Sequence, residues 1–341
     1  MFIVRITSGL GNQMYQYCFY LLLKKLYPEA AVRADLTWFY ANNDHFGYEL
    51  QRIFGKGGFL LEEAGPGELF KVTGLIPNLF MPDEMLSFKN GKEYRGRFSV
   101  KSAKRFEEIR RYPNRIIREF TLKKRLPYLI DETGVLWENG PVLNNDDIYK
   151  LVSSLDTTKN YYFTGFWIKE RYFGQVLNEA VKAFAFPEFE DEENIRLAED
   201  IVSSVSVGIH VRRGDYLTAY KNSFISLPVD YYKEGIDAVC KGTGIDRDGL
   251  KFYIFSDDPE YIESAFAFLE NKRVVAHNKG TDSFRDMQLM SLCRHNIIAN
   301  STFSQWAALL NRNKEHLTVY PKLYMKDEDS EVKTLKGWIR C

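Results

Sequence analysis

Residues 206–216 read SVGIHVRRGDY, a short apolar run that ends in two adjacent arginines, a glycine and an aspartate. Arginine is seldom buried without a partner, so either an internal carboxylate meets these guanidiniums or a polyanionic ligand does. The strand-like pattern recurs downstream. KFYIFS (251–256), RVVAH (273–277), NIIAN (296–300) and LTVYP (317–321) are further short apolar runs. Between them lie helix-compatible segments such as DPEYIESAFAFLEN and STFSQWAALLNRN. Strand–helix alternation at this spacing predicts a parallel, doubly wound sheet. Ligands of such sheets sit beyond the carboxyl ends of the strands, near the point where strand order reverses.

The first half opens with the same unit. FIVRI leads through the turn TSGLG into NQMYQYCFYLLLKKLYP. There Met14, Tyr17, Cys18, Leu21 and Leu22 share a helical face, and Pro28 closes the segment. AAVRAD reads as a second strand. From about residue 40 to 160 the pattern blurs into Gly-rich turns and basic helical pieces, and no topology can be traced. The expected architecture is α/β: two Rossmann-type, doubly wound domains facing a cleft. Their expected limits are 1–203 and 204–341, with the acidic stretch FEDEENIRLAEDIVSS leading into the second.

Composition narrows the partners. Lys plus Arg and Asp plus Glu balance at 46 each, so no overall field favours nucleic acid or anionic lipid. Aromatics make up 15% of the chain, which suits a sugar-stacking surface as well as large cores. Cys18, Cys240, Cys293 and Cys341 show no CxxC spacing, and they read as reduced thiols of a cytosolic protein. The longest apolar neighbourhood, MYQYCFYLLL, is too short to cross a bilayer, and no signal peptide is legible.

Polar groups cluster just after the strand-like runs. His210, Arg212, Arg213 and Asp215 follow the first, and Asp257 stands in the SDD after the second. Ser301, Thr302, Phe303 and Ser304 open a helix after the fourth, where hydroxyls are also ordinary caps. Asn12 lies in the first turn after the N-terminal strand. A helix start offering amides and hydroxyls binds phosphate, and a guanidinium adds a bidentate, permanently charged partner. Together they suit a pyrophosphate leaving group without a metal. The Asp-x-Asp match DRD (246–248) precedes its strand, KDEDSE (326–331) reads as a solvated loop, and no cluster has metal-ligand spacing.

Several stretches taken together resemble the bacterial α-1,2-fucosyltransferases of glycosyltransferase family 11. They are GLGNQMYQY (9–17), TGFWIKERYF (164–173), HVRRGDY (210–216), FYIFSDD (252–258) and AHNKGTDSFRDMQLMSLCRHNIIANSTFSQWAALLN (276–311). One departure is Gln305, where the family usually has an aromatic residue before Trp306. The resemblance implies a GT-B-like fold and inverting transfer of L-fucose from GDP-β-L-fucose to a galactose-terminated glycan of a bacterial surface polysaccharide. It implies a cytoplasmic site of action without a transmembrane segment, with room for peripheral association with the inner membrane, and no cofactor.

Carried over residue by residue, His210 and Arg212 match the donor-binding His-x-Arg, and Arg213 and Asp215 complete the motif. Asn12 matches the active-site Asn, and Ser301, Thr302 and Ser304 match the phosphate loop. Asp286 resembles a guanine-reading carboxylate; otherwise it is a helix-surface acid paired with Arg285 or Arg294. Asp215 is either the general base or the carboxylate that fixes an arginine. If the GDP pyrophosphate is the partner of Arg212, its guanidinium faces a solvated cleft in the free protein.

Overall fold

A computed structural model describes residues 1–40, 42, 45–80, 86–89, 92–95, 99–125, 129–132, 145–326 and 337–341. Most of the acidic KDEDSE stretch lies outside the described residues. Two compact units make up the chain, Met1–Pro187 and Glu188–Cys341.

The first unit begins with β1 (Phe2–Arg5), α1 (Leu10–Leu26), β2 (Val32–Asp35), α2 (Leu50–Phe54) and α3 (Pro66–Thr73). The hairpin β3 (Leu86–Lys89) and β4 (Lys92–Arg95) and the long helix α4 (Val100–Arg125) follow. It continues through β5 (Leu129–Asp131), α5 (Asn145–Val152), β6 (Tyr161–Thr164), α6 (Glu170–Phe173) and α7 (Leu177–Ala183). Its main sheet runs β2-β1-β6-β5 with every pairing parallel. The blurred middle of the sequence therefore contributes β5, whose three residues are too few for a periodic signal. Helix α1 is buried on nearly all sides, Gln13 and Gln16 included, whereas Leu21 is only partly covered.

The second unit starts with α8 (Glu192–Ser203), one helix earlier than expected. Leu197 and Ile201 of α8 are buried, and the helix packs on α12 (Phe284–Leu292). Asp191 caps it by accepting from the Asn194 amide at 2.8 Å. The strands are β7 (Ser206–Val211), β8 (Lys251–Ser256), β9 (Lys272–Val275), β10 (His295–Ile297), β11 (Thr318–Tyr320) and β12 (Ile339–Arg340). The remaining helices are α9 (Gly214–Leu217), α10 (Val229–Thr243), α11 (Pro259–Ala265) and α13 (Thr302–Leu309).

The second sheet runs β12-β11-β10-β7-β8-β9, parallel throughout. Central β7 is followed outward by β8 and β9; the chain then crosses back to β10 and winds the other way. That is the doubly wound order, with its reversal between β7 and β10. All six residues of β7 are buried, and Val207, Ile209 and Val211 pack with Ile254, Ile297 and Val319 in one core. A strand covered on both faces carries a continuous apolar run, which is why this stretch was legible. The sixth strand, two residues long, gave no such signal. No helix among the described residues is long and apolar enough to cross a membrane.

Candidate active site

The turn after β7 answers the question its arginines raise. Arg212 Nη2 donates to Asp215 Oδ2 at 2.8 Å, and its Nη1 lies 3.0 Å from Asp257 Oδ2. Arg213 points elsewhere. Its Nε donates to Asp258 Oδ2 at 3.0 Å, and the guanidinium sits 3.4 Å from the Tyr261 ring centroid. Internal carboxylates meet both arginines, so Arg212, expected to face a solvated cleft, is ion-paired while its side chain stays partly exposed. The cause is register: β8 is the neighbour of β7, with Ser256 beside Val211, so Ser256–Asp258 emerges alongside Arg212–Asp215.

Asp257 does more than neutralise. It accepts from the amides of Arg213 at 2.9 Å and Gly214 at 3.1 Å. A Cβ on Gly214 would stand 3.0 Å from Asp257 Oδ2, so any other residue here would require this carboxylate to give by a few tenths of an ångström. Asp257, expected as a donor contact, anchors the turn and Arg212. The Asp215 contact to Arg212 is the one its arginine-fixing role calls for. Asp258, the aspartate before the Pro-initiated helix, is the N-cap of α11, accepting from the Tyr261 amide at 3.2 Å, and it also pairs with Arg213. Two guanidiniums thus face three carboxylates, and the cluster has no positive excess.

His210 precedes this turn and is buried, with Nδ1 unpartnered. Burial, reinforced by the charge of Arg212, lowers its pKa to about 3, so the imidazole is neutral. Its ring lies 5.8 Å from that of Phe303, which joins the end of β7 to the first turn of α13 across the reversal in strand order. Ser301 is the N-cap of α13 with extended backbone, and its hydroxyl makes no capping bond. Ser304 is fully buried and donates its hydroxyl to Ser301 O at 3.2 Å. Asn300, fully buried, fixes the approach to α13. Its Nδ2 donates to Ile225 O at 2.8 Å and Tyr324 O at 2.9 Å, while its carbonyl accepts from Tyr216 Oη at 2.7 Å.

Asp286 stands in the first turn of α12, on the same carboxyl edge of the sheet. Its Oδ1 accepts from Asn278 Nδ2 at 2.8 Å. Asn278 in turn accepts from Asn194 Nδ2 at 2.8 Å, and His277 Nε2 lies 3.0 Å from Asn194 Oδ1. Arg285 turns away from Asp286, donating to Gln288 Oε1 at 2.8 Å and lying over Phe284 and Phe189. Burial pushes the Asp286 carboxyl up to about 7, and only the Asn278 bond opposes it. The side chain is recessed but keeps some exposure, as a ligand-reading acid requires. Among described residues, Asn194 and Asn278 were missed by the sequence reading, because a polar network between distant segments has no local spacing.

Asn12 lies in the first unit, where its Nδ2 donates to Ser8 Oγ at 2.9 Å. The neighbouring glutamines explain much of GLGNQMYQY. Gln13 Nε2 donates to Ser8 O at 2.8 Å and Gly47 O at 2.9 Å. Gln16 Oε1 accepts from the Thr7 amide at 2.9 Å, and its Nε2 donates to Gly165 O at 2.9 Å. Gln16 therefore straps the end of β1 to the end of β6. Among the described residues, no group of three or more His, Cys, Asp or Glu side chains could hold a metal ion.

A six-stranded sheet in this order, with arginines and a helix start at its reversal, has the build of a nucleotide-binding α/β domain. The chain belongs to glycosyl transferase family 11, whose family model matches residues 143–341. It is 26% identical, over 98% of both chains, to the O-antigen biosynthesis glycosyltransferase WbnK of Escherichia coli. It is also 26% identical to an α-1,2-colitosyltransferase of Escherichia coli, over 96% of this chain and 93% of that one. Among solved structures it is similar to the fucosyltransferase NodZ from Bradyrhizobium, at 13% identity and a TM-score of 0.44. That match covers 91% of this chain and 92% of NodZ.

Proposed function

We propose that this glycosyltransferase moves L-fucose from GDP-β-L-fucose to the 2-hydroxyl of a terminal galactoside, with inversion and without a metal. The observation that carries the reading is Arg212, clamped by Asp215 and Asp257 at the reversal point of the sheet, in a family 11 chain. Arginine has five N–H donors, and two carboxylates do not exhaust them. The carboxylates fix the guanidinium and leave it donors to spare, and the first turn of α13 adds amides without intrahelical acceptors.

In this reading the acceptor hydroxyl oxygen forms its bond to C1 as the bond from C1 to the β-phosphate oxygen breaks; GDP leaves with that electron pair, and the hydroxyl proton passes to solvent. Arg212 and the α13 start take up the charge left on GDP. Neutral His210 and the ring of Phe303 line the donor side, Ser301 and Thr302 offer hydroxyls, and Asp286 accepts the paired N1–H and N2–H₂ of guanine. Asn12 is the contribution of the first unit.

A second reading is favoured by the colitosyltransferase relative: a transferase using another GDP-6-deoxyhexose, for which the guanine and phosphate contacts would be the same. Incubation with GDP-fucose or GDP-colitose and a panel of terminal galactosides separates the two. A fucoside from GDP-fucose supports the first reading; product from GDP-colitose alone replaces it with the second. Binding of GDP without any product would make the protein a non-catalytic GDP-sugar binder.

A further inference from the structure

The stretch TGFWIKERYF (164–173) contains features that the donor chemistry leaves unused. Trp167 has a backbone φ of 58°, an uncommon value for a bulky residue. Its ring is fully buried, stacked on Phe19 with centroids 3.7 Å apart and met edge-on by Tyr172 at 5.1 Å. That packing holds Trp167 inward and leaves its neighbour Phe166 outside, 38% exposed.

Against the same turn lies Glu132, just past β5. Its Oε2 accepts from the amides of Phe166 at 3.0 Å and Trp167 at 2.7 Å. The approach is close enough that a Cβ on Gly165 would fall 2.6 Å from the Glu132 Cβ. The other oxygen, Oε1, has no hydrogen-bond partner among the described residues. Glu132 and Phe166 both sit past the carboxyl ends of β5 and β6, and β6 neighbours β1 where the first sheet reverses its order. Strained backbone held in place by surrounding structure is commonest at ligand sites.

We propose that Glu132 and Phe166 form the acceptor-sugar platform of this enzyme. The proposal rests on the glycosyl-transfer reading above and names the residues that select its acceptor. The exposed ring takes the apolar C–H face of a hexopyranose, and Oε1 of Glu132 accepts a hydrogen bond from one of its hydroxyls. A carboxylate excludes an anionic ligand. Lys169 already supplies a positive charge near Glu132, so the ligand needs none. A neutral polyol with one apolar face fits these conditions. Glu132 is a specificity residue here, with no proton transfer assigned to it.

The test uses the full chain and methyl β-D-galactopyranoside as probe, followed by saturation-transfer NMR, beside acceptor KM and GDP affinity. Phe166→Ala, at an exposed position, is expected to keep the melting temperature and GDP affinity while raising acceptor KM and probe Kd about fivefold to tenfold. Glu132→Gln keeps the shape and is expected to weaken the probe about tenfold. Unchanged probe binding and acceptor KM in Phe166→Ala would overturn the platform, as would absence of probe binding to the unmodified protein. If the protein binds the probe through these residues but transfers no sugar from GDP-fucose, the platform stands and the fucosyl-transfer reading fails.

Discussion

Arg212 can contribute to transfer only while its fork is held. Lysine keeps the charge but cannot reach Asp215 and Asp257 together, so Arg212→Lys is expected to lower the transfer rate about 10²–10³-fold. Arg212→Ala should lose the same activity and also leave two carboxylates facing each other. With Arg212 31% exposed, the stability cost should be about 1–2 kcal/mol, below that of a fully buried pair. Thermal unfolding beside transfer assays reads both effects, and normal turnover in the folded Ala variant would end the phosphate role. Asp286 sets the pH response. Held near 7, it is a carboxylate above that value and a neutral acid below it, and the acid cannot accept both guanine donors. GDP affinity by calorimetry is therefore expected to plateau above about pH 8 and to fall about tenfold per unit below about pH 6. A flat profile would return Asp286 to a structural role. Stability runs the opposite way. The folded pKa lies above the ordinary 3.8, so the Asp286 contribution is complete below that value and is lost as pH rises through 7. Asp286→Asn should thus melt higher than the parent at pH 8 while losing GDP.

At the scale of elements, two devices hold strand ends in place: the Asp257 anchor under the β7 turn and the Gln16 strap between β1 and β6. Gln16→Leu leaves the Thr7 amide and the Gly165 carbonyl buried without this partner, for an expected loss of about 2–4 kcal/mol in chemical denaturation. A loss under about 0.5 kcal/mol would show that water replaces the strap. Neither device is a local pattern, which marks the limit of what the chain discloses. The apolar strands β7, β8 and β10 were legible because both their faces are buried, and the arginines were conspicuous because they end such a run. Asp257 could be seen, but its hold on the Arg213 and Gly214 amides could not, because that follows from the register between β7 and β8. Glu132 and Phe166 were invisible as a pair, since the residues between them hold no periodic signal and only the parallel pairing of β5 with β6 unites them. Ser304 shows the converse: a hydroxyl in a phosphate-loop motif turned to bond its own backbone.

The whole molecule contains two units, each with its own sheet and core, and calorimetric unfolding is expected to resolve two transitions. GDP should raise the one belonging to Glu188–Cys341, where the proposed donor contacts lie; a shift confined to the other transition would contradict the donor assignment. Activity is expected to persist in excess EDTA, since Arg212 and a helix start are assigned the leaving-group charge; complete loss restored by Mn²⁺ or Mg²⁺ would refute that assignment. The arithmetic of the β7 turn has one more outcome, in the kinetics of encounter. A turn whose two cations are outnumbered by three anions offers no net positive charge to draw in an anionic nucleotide. Sodium chloride has little long-range attraction there to screen. Stopped-flow capture of a fluorescent GDP analogue should then not slow as salt is raised, and a steep fall in rate with salt would contradict this reading.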